Sequence, residues 1–441
     1  MQLYDYQVDH AMSLTESLLT YGVAKDASDT GTGKTVVACV VAENLDLSRV
    51  VVVCPKSVIP SWKRWLGQTA YKPDGPRPTS FVINYESLRT GNHACLVRKK
   101  KSFKWIAPRK TLIIFDEDHK CKGRLTLNAR MLYAAKKGGY PVLLLGATSF
   151  SSPLEMDAIG YALGLHHGYR TFVEWLEKKC FCYKDRWGAW KHPKPARHKA
   201  VLEAIRNYIF PERGSRMLIS DIPNFPANNI IIDTYEVKEP AVVAKAYVEV
   251  RKHWDALQDR KLADGDSALV EMLRARQEIE LAKIPVLVEL TKGDMHARMS
   301  VAIFVNFRGT QQALEEKLKA VDPHIVTVHG DQTVEERQRA IDDFQRNGAA
   351  ILIATIGSGG VGISLHDELG GHPRSSLICP SFSAIELRQA LGRIHRNGSK
   401  SVATQRIILA SGTVEERVCA KLNTKMFAFD TINDTDLNPF T

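Results

Sequence analysis

Short apolar runs rich in β-branched residues recur along this sequence, and they limit its fold more than any other feature. Four of them lie before residue 147 and five lie between residues 301 and 410. The nine runs are "RVVVVC" (49–54), "FVIN" (81–84), "TLIIF" (111–115), "PVLLLG" (141–146), "VAIFVNF" (301–307), "HIVTVHG" (324–330), "AAILIAT" (349–355), "SSLICP" (375–380) and "TQRIILA" (404–410). Runs this short, without polar alternation, are typical of strands buried on both faces of a parallel sheet. The sequence therefore predicts two α/β lobes.

The two series are separated by a segment of different character. Between residues 150 and 295 the sequence is richer in aromatic and charged residues, and its helical-looking stretches have no flanking strands. At 441 residues the chain also exceeds what one hydrophobic core usually serves. We therefore expect a first lobe over 1–150, a helical insertion and linker over 151–295, and a second lobe with a C-terminal helix over 296–441. The second boundary is expected near Thr291 to Met299.

The charge balance favours a polyanionic partner. Sixty Lys and Arg residues against 49 Asp and Glu give a formal net charge of +11, which promotes nucleic-acid binding although it also serves simple solubility. The eight cysteines show no disulfide-framework spacing, which fits a reducing compartment. We expect the cytoplasm of a bacterial or phage-infected cell, or the nucleus of a eukaryotic one. No basic and apolar leader and no run of about 18 apolar residues occurs, so export and membrane spanning are not expected.

A zinc site is an alternative role for two of these cysteines. Cys180 and Cys182 form a C-x-C pair, with histidines nearby in the sequence at positions 166, 167, 192 and 198. A lone C-x-C lacks the paired C-x-x-C spacing of structural zinc sites. Buried thiols are the simpler interpretation.

A glycine-flanked lysine stands near the N-terminus, in "TGTGKT". Glycines let backbone N–H groups approach a phosphate, Lys34 can reach the β and γ phosphates, and Thr35 can place its hydroxyl on magnesium. The apolar helix that follows would offer its N-terminus to the anion. The general pattern has a glycine where this chain has Ser28, so a chance glycine turn is the alternative. The predicted nucleotide-binding residues are Thr30, Gly31, Thr32, Gly33, Lys34 and Thr35.

The predicted strand 111–115 ends in "DEDH", a cluster of carboxylates and a histidine. Such a strand delivers carboxylates to the C-terminal edge of a parallel sheet, where ligands bind in open α/β folds. Asp116 would hold magnesium together with Thr35, and Glu117 would orient or deprotonate the attacking water. A solvated acidic turn is the alternative, but it explains neither this placement nor the phosphate loop. The two motifs together predict hydrolysis of ATP with Mg²⁺.

With these motifs the chain resembles the superfamily 2 helicases, whose DEAH-type box is similar to "DEDH". The resemblance continues in order through "LYDYQ", "VVVCPKSVIPSWKRW", "VINYESLR" and "LLLGATSF", and then through "VHGDQTVEERQRAIDDFQ", "ILIATIGSGGVGISL" and "ELRQALGRIHRNGS". It implies two RecA-like lobes, adenine recognition by Gln7 and nucleotide binding by Gly362. It also implies nucleic-acid contacts by Pro55, Lys56 and Thr355.

The same resemblance implies a catalytic role for two arginines of the second lobe. A helix over "ELRQALGRIHR" would place Arg393 and Arg396 on one face, since they are three residues apart. Their guanidinium groups would then neutralise charge that develops on the γ phosphate, a contribution of about 10³ to 10⁵ in rate in arginine-finger systems. A surface arginine pair with weak ion pairs is the alternative.

The subfamily that the chain resembles is the Swi/Snf-type translocases, with features of the compact annealing-helicase branch. "SWKRW", "QALGRIHRNG" and "GTVEERVCAKLNTK" carry the first likeness, and "SSPLEM" and "ELAKIPVL" carry the second. They imply an ATP-dependent motor that moves as a monomer along duplex, forked or single-stranded DNA without reading its sequence. The coupling motif III departs from the family, because Gly146 to Ser149 read "GATS" where the family has TGTP. This departure puts the coupling of ATP to DNA motion in question.

Two basic and aromatic stretches are candidates for nucleic-acid contacts. In "RKKKSFKWIAPRK" (98–110), Lys99, Lys100 and Lys101 could follow a phosphate backbone while Trp105 stacks on a base. A solvated loop is the alternative. The second stretch, 183–199, could be a pin, a duplex clamp or a packing element. Two other functions stay open, an RNA helicase and a nucleotide-gated clamp that holds DNA with little turnover.

Overall fold

The structure is a computed structural model of the chain. It describes residues 3–68, 79–100, 102–123, 126–147, 150, 152–193, 195–223, 225–237, 248, 265–359, 363–381, 383–411 and 415. The described residues up to Pro223 form one compact unit, and those from Phe225 onward form a second. None of the helices within these ranges combines the length and apolar character that crossing a membrane requires.

The first unit is built on a parallel sheet. Its strands are β1 (Val23–Asp26), β2 (Arg49–Cys54), β3 (Thr79–Asn84), β4 (Asn92–His93), β5 (Leu96–Lys99), β6 (Ser102–Trp105), β7 (Thr111–Asp116), β8 (Val142–Leu145), β9 (Tyr183–Lys184), β10 (Trp190–Lys191) and β11 (Gly214–Ser215). Six of them pair side by side, all parallel, in the order β11-β1-β8-β7-β2-β3. The carboxyl ends of β1, β8 and β7 are therefore neighbours at one edge.

Alternating side chains of the central strands build a core on each face of this sheet. Val51 and Phe115 lie in one fully buried cluster, and Val52 and Ile114 lie in the other. The helices of the unit are α1 (Asp5–Tyr21), α2 (Lys34–Asn44), α3 (Ile59–Gln68), α4 (Tyr85–Leu88), α5 (Leu127–Lys137), α6 (Asp157–Leu163), α7 (Tyr169–Lys178) and α8 (Pro195–Ile209). Burial on both faces explains why the runs lack polar alternation.

The second unit repeats the parallel-sheet plan. Its strands are β12 (Asn228–Tyr235), β13 (Ser300–Val305), β14 (Ile325–Val328), β15 (Ile351–Thr355), β16 (Arg374–Ile378) and β17 (Ala403–Ala410). They pair in the order β12-β17-β16-β13-β15-β14, and every pairing is parallel. Its helices are α9 (Gly265–Ala282), α10 (Ile284–His296), α11 (Arg308–Leu318), α12 (Val334–Gln345), α13 (Ile356–Gly359) and α14 (Ala384–Leu391). The prediction of two parallel-sheet α/β lobes is confirmed.

The division between the units lies earlier than the sequence analysis placed it. The expected separate region over 151–295 is shared. Its described residues up to Pro223 belong to the first unit, and those within 225–237, 248 and 265–295 belong to the second. The unpredicted strand β12 pairs along its whole length with β17. It is an edge strand with mostly half-exposed and exposed residues, so it lacks the unbroken apolar run that revealed the central strands. The C-terminal helix expected after Ser411 lies almost wholly outside the described residues.

Candidate functional site

The glycine-rich loop joins the end of β1 to the start of α2. Gly31 and Gly33 have φ values of 95° and 98°, in the left-handed region that favours glycine. A Cβ atom on Gly33 would also come too close to Gln7 Nε2, so Gln7 would have to shift to admit a side chain there. Gly33 caps α2, whose first turn contains Lys34 and Thr35. The loop thus presents a helix N-terminus with unsatisfied backbone N–H groups, as phosphate binding requires.

The Lys34 ammonium is held on the inner side of this loop. Its Nζ donates to the carbonyl oxygens of Ser28 and Asp29, each at 2.9 Å. Burial lowers the pKa of Lys34, and the neighbouring carboxylates, those of Asp116 and Glu117 among them, oppose that shift. The lysine of the loop and the acidic box of β7 therefore share one electrostatic environment.

Ser28, the departure from the general glycine pattern, fastens the loop to its surroundings. Its buried Oγ accepts a hydrogen bond from Met217 N at 2.9 Å and lies 3.2 Å from His10 Nε2. His10 Nε2 is also 3.2 Å from Asp26 Oδ1, which accepts from Ser28 N at 2.9 Å. Burial would raise the pKa of Asp26, but His10, Lys34 and Ser28 together outweigh burial and hold that pKa below its ordinary value. A serine here therefore has a structural reason.

Gln7 contacts the loop directly. Its Nε2 donates to Thr32 O at 2.9 Å, while its Oε1 accepts from Tyr4 N at 3.1 Å at the start of α1. The side chain is 3% exposed, and Thr32 is itself tied to Asp29 O through its hydroxyl. The residue that the resemblance assigns to adenine recognition thus also supports the phosphate loop.

The acidic box lies at the end of β7, and the strand β8 lies between β7 and β1 in the sheet. Asp116 Oδ2 accepts a hydrogen bond from Trp62 Nε1 at 2.8 Å, and Oδ1 accepts from Glu117 N at 3.0 Å. Tyr85 donates its hydroxyl proton to Asp116 O at 2.8 Å. Glu117 has φ 55° and ψ 55°, a left-handed conformation that costs free energy in a residue with a side chain and that is common at active sites. Trp62 thus holds the Asp116 carboxylate and Tyr85 holds its backbone carbonyl, and the sequence analysis singled out neither residue.

The neighbouring carboxylates of Asp116 and Glu117 form an environment that suits a divalent cation. Burial and the adjacent Glu117 raise the pKa of Asp116 to about 7, because a second negative charge nearby disfavours ionisation. A divalent cation would offset that repulsion and favour the ionised form. Oxygen ligands of this kind suit Mg²⁺. Asp116 and the Thr35 hydroxyl are the residues that would hold it, and Mg²⁺ would neutralise charge on the phosphate oxygens.

A buried lysine joins the carboxyl ends of three neighbouring strands. Lys25 Nζ donates to Asp26 O at 3.0 Å and to Gly146 O at 2.6 Å, and it lies 3.2 Å from Asp118 Oδ2. The side chains of Lys25 and Asp118 are 2% and 0% exposed. Their contact is a buried ion pair that links the acidic box to the first residue of the altered motif III. Nothing in the sequence pattern marked Lys25 for this role.

The motif VI arginines do not lie on a helix, so that part of the prediction is wrong. Helix α14 ends at Leu391, and Gly392, a poor helix former, is followed by non-helical residues that include both arginines. Arg393 is 1% exposed and donates to Gln389 O at 2.7 Å and Ile363 O at 3.0 Å. The half-buried Arg396 donates to Gly392 O at 2.8 Å and to Ser364 Oγ at 2.7 Å. The two side chains thus occupy different environments within the second unit.

Trp105 belongs to the core, and its predicted role in base stacking is wrong. The strand β6 alternates between exposed and buried residues, which places Phe103 and Trp105 inside. The Trp105 indole donates to Met131 O at 3.0 Å and meets the Phe115 ring edge-on. Period-two alternation in "SFKW" is the signal that could have revealed this strand.

Trp105→Ala is expected to lower the free energy of unfolding of the first unit by about 3–5 kcal/mol, the usual cost of removing a buried tryptophan. Urea denaturation followed by circular dichroism measures it. Lys99→Ala with Lys100→Ala is the matched control, because both lysines are exposed in the same β5–β6 hairpin; the expected change there is about 0.5 kcal/mol or less. A stable Trp105→Ala protein would contradict this placement.

The other predicted nucleic-acid residues lie at strand ends or on the surface. Pro55 is buried directly after β2, and the exposed Lys56 begins a short 3-10 helix. Thr355 is the last residue of β15 and is 8% exposed. Lys101 and Gly362 lie outside the described residues.

The central cysteines are buried thiols in the first unit. Burial raises the pKa of Cys182 to about 11 and also raises that of Cys180, so both sulfurs are protonated at neutral pH. In the ranges that the structure describes, no three His, Cys, Asp or Glu side chains are grouped as metal ligands would be.

Comparison with known proteins places this geometry in a family. The family described as the helicase conserved C-terminal domain matches residues 282–398. A protein of Acanthamoeba polyphaga mimivirus, named as a candidate ATP-dependent RNA helicase, is 33% identical over 464 aligned residues, which cover 99% of this chain and 84% of the viral protein.

Two more distantly related proteins are also similar to this chain. The SWI/SNF-related matrix-associated actin-dependent regulator of chromatin subfamily A-like protein 1 of Xenopus tropicalis is 22% identical over 416 residues, 91% of this chain and 42% of that protein. A solved structure, a variant of S. cerevisiae Dbp5 bound to RNA and ADP BeF3, matches with a TM-score of 0.50 at 13% identity, covering 96% of this chain and 91% of that one. That likeness concerns the RecA-like fold alone. The phosphate loop, the acidic box and the similarity across nearly the whole chain lead to one conclusion: the protein belongs to the superfamily 2 helicases.

Proposed function

We propose that this helicase is an ATP-dependent DNA translocase of the Swi/Snf type, which hydrolyses ATP to move along duplex or forked DNA. Three observations support the proposal. Its motifs resemble those of Swi/Snf-type translocases, a SWI/SNF-related protein aligns with 91% of the chain, and the net charge of +11 suits a polyanionic track. Branch migration, fork remodelling and strand annealing are the activities that such a motor would drive.

The proposal that the protein hydrolyses ATP rests on Lys34, Asp116 and Glu117, whose charges act on one another. The ammonium of Lys34 and the N-terminus of α2 would bind the phosphates of ATP. Glu117, strained at the end of β7, is the general base that would orient and deprotonate the attacking water. Trp62 and Tyr85 hold Asp116 so that the carboxylates keep their positions through turnover. Positioning of this kind accounts for most of the catalysis in phosphoryl transfer.

Replacing the two arginines of motif VI one at a time is expected to have different effects. Arg396→Ala should lower kcat for ATP hydrolysis by about 10³-fold or more, as in arginine-finger systems, with the protein still folded. Arg393→Ala should instead destabilise the second unit by about 2 kcal/mol or more, because a buried charged donor of two hydrogen bonds is lost. Steady-state phosphate release and urea denaturation of both variants measure the two effects. An active Arg396→Ala protein or a fully stable Arg393→Ala protein would contradict this division.

An RNA helicase is the second candidate function. The observation in its favour is that the mimivirus relative, which aligns with 99% of the chain, is named as an RNA helicase. The fold does not discriminate between the two, since RecA-like lobes serve both polymers.

A triplex-displacement assay tests the proposal against this alternative. Duplex DNA carrying a third strand reports movement along the duplex without requiring strand separation. The proposal predicts ATP-dependent release of the third strand that Lys34→Ala abolishes. Unwinding of an RNA duplex in the absence of third-strand release would favour the RNA helicase instead.

A further inference from the structure

A small antiparallel hairpin, β9–β10, projects an aromatic residue that the ATPase chemistry does not use. Trp190 pairs with Lys184 and Lys191 pairs with Tyr183 across it. Trp187, in the turn between the two strands, is 77% exposed, the largest value among the exposed large apolar side chains of the described residues. An indole exposed to this degree leaves most of its apolar ring area open to contact with a partner.

The base of this hairpin is anchored in the core of the first unit. Cys180 and Cys182 precede β9 and are 1% and 3% exposed, and Trp190 packs against the same cluster that contains Leu202 of α8. The two tryptophans of the hairpin therefore have opposite environments. Trp190 attaches the hairpin, and Trp187 is carried outward.

The turn that carries Trp187 has a defined shape. Asp185 Oδ1 accepts hydrogen bonds from Trp187 N and Ala189 N, each at 2.9 Å. Asp185 N donates to Ala189 O and Gly188 N donates to Asp185 O, both at 2.9 Å. Gly188 has φ 77°, a conformation that glycine adopts without strain. Because the turn is closed by its own hydrogen bonds, the backbone that carries the exposed ring has a defined conformation.

The segment that carries the ring is strongly basic in sequence. Residues 183–199 contain six Lys or Arg and one carboxylate, Asp185, which also lies 3.4 Å from Lys191 Nζ. The Arg186 guanidinium lies over the Trp187 ring at 4.8 Å, and Lys184 Nζ lies 5.0 Å from the Trp190 ring centre. An aromatic face beside a guanidinium matches the two parts of a nucleotide, since the base stacks on the ring and the phosphate pairs with the cation.

We propose that Trp187 stacks on an exposed nucleobase, with Arg186 beside it, so that the hairpin binds nucleic acid where a base face is free. This inference rests on the proposed function, in that the protein must bind nucleic acid. Inside a continuous duplex every base is stacked between neighbours, so the ring has no face to contact there. The partner is therefore a single strand, a duplex end or the junction of a fork, and not uninterrupted duplex.

Binding of three labelled DNAs of similar charge tests the proposal: a single strand, a fork, and a duplex closed at both ends by linkers that contain no bases. Trp187→Ala should weaken binding of the single strand and the fork by about 5- to 150-fold, the range for loss of one stacked base. Binding of the closed duplex should stay within about twofold. Trp187→Phe, which keeps an aromatic face, should recover most of the affinity, and Trp187→Leu, which does not, should behave like Trp187→Ala. The same fork made of RNA shows which polymer supplies the base.

Unchanged binding of the fork by Trp187→Ala, or equal weakening on the closed duplex, would overturn this role while the proposed function stands. If the unmodified protein bound none of the nucleic acids, the proposed function would fall and this inference with it. Thermal unfolding of the variants serves as the control for folding, and no change is expected because the ring is exposed.

Discussion

Glu117→Gln is expected to lower kcat for ATP hydrolysis by about 10²- to 10⁴-fold while leaving ATP binding nearly unchanged, the usual contribution of a general base. The amide keeps the size of the side chain but cannot accept the proton of the attacking water. Burial and the charge of Glu117 both raise the pKa of Asp116. The amide removes the second of these causes, so Asp116 is more readily ionised to hold Mg²⁺ and ATP binding is not weakened. Steady-state phosphate release and titration with a fluorescent ATP analogue measure the two quantities.

The matched control is Glu174→Gln, because Glu174 is an exposed glutamate of α7 that pairs with the exposed Arg170, outside the candidate site. Its kcat should equal that of the unmodified protein. Turnover of Glu117→Gln within about threefold of normal would contradict the assignment and favour the nucleotide-gated clamp, in which hydrolysis plays little part. Loss of ATP binding by the same variant would show instead that Glu117 acts in binding.

Lys25→Ala is expected to destabilise the first unit by about 3–5 kcal/mol, the effect of removing one partner of a buried ion pair. The reason is that Asp118, at 0% exposure, would keep a negative charge in the core without the ammonium beside it. The carbonyl groups of Asp26 and Gly146 would each lose a hydrogen-bond donor as well. Six of the seven tryptophans precede residue 191, so tryptophan fluorescence during urea denaturation follows the unfolding of this unit.

A double variant separates the charge effect from lost packing. Lys25→Met with Asp118→Ala removes both charges, and a buried ion pair replaced by apolar groups is often neutral in stability. We expect it to recover most of the stability that Lys25→Ala loses. If Lys25→Ala unfolded at the same urea concentration as the unmodified protein, the buried ion pair would not stabilise the unit.

The central strands could be predicted from sequence because burial on both faces leaves an unmistakable apolar run. "RVVVVC" became β2 with the same bounds, and "TLIIF" became β7 with one more residue. The edge strand β12 was not predicted because one face of it meets solvent, so that "NNIIIDTY" combines polar and apolar residues. Trp105 was misplaced because a basic loop was expected where two short strands pair, the second of which alternates between solvent and core.

Some residues of the candidate site could also be predicted from sequence, and others could not, because they act through contacts with distant parts of the chain. Lys34, Asp116 and Glu117 stand in short motifs whose chemistry depends on neighbours in the chain, and sequence reasoning could find them. Lys25 acts through Asp118 and Gly146, which are about a hundred residues away in the sequence and meet it only through the strand order. His10 supports the phosphate loop from α1 in the same non-local way. No sequence pattern predicts these contacts of Lys25 and His10.

Steady-state ATP hydrolysis with no nucleic acid, single-stranded DNA, duplex DNA, forked DNA and RNA tests the central claim most directly, with Lys34→Ala as the inactive control. A DNA translocase of this family should be stimulated most by duplex or forked DNA, and Lys34→Ala should abolish the stimulated rate. Stimulation by RNA alone, or turnover that responds to none of the polymers, would contradict the account of what this ATPase moves along.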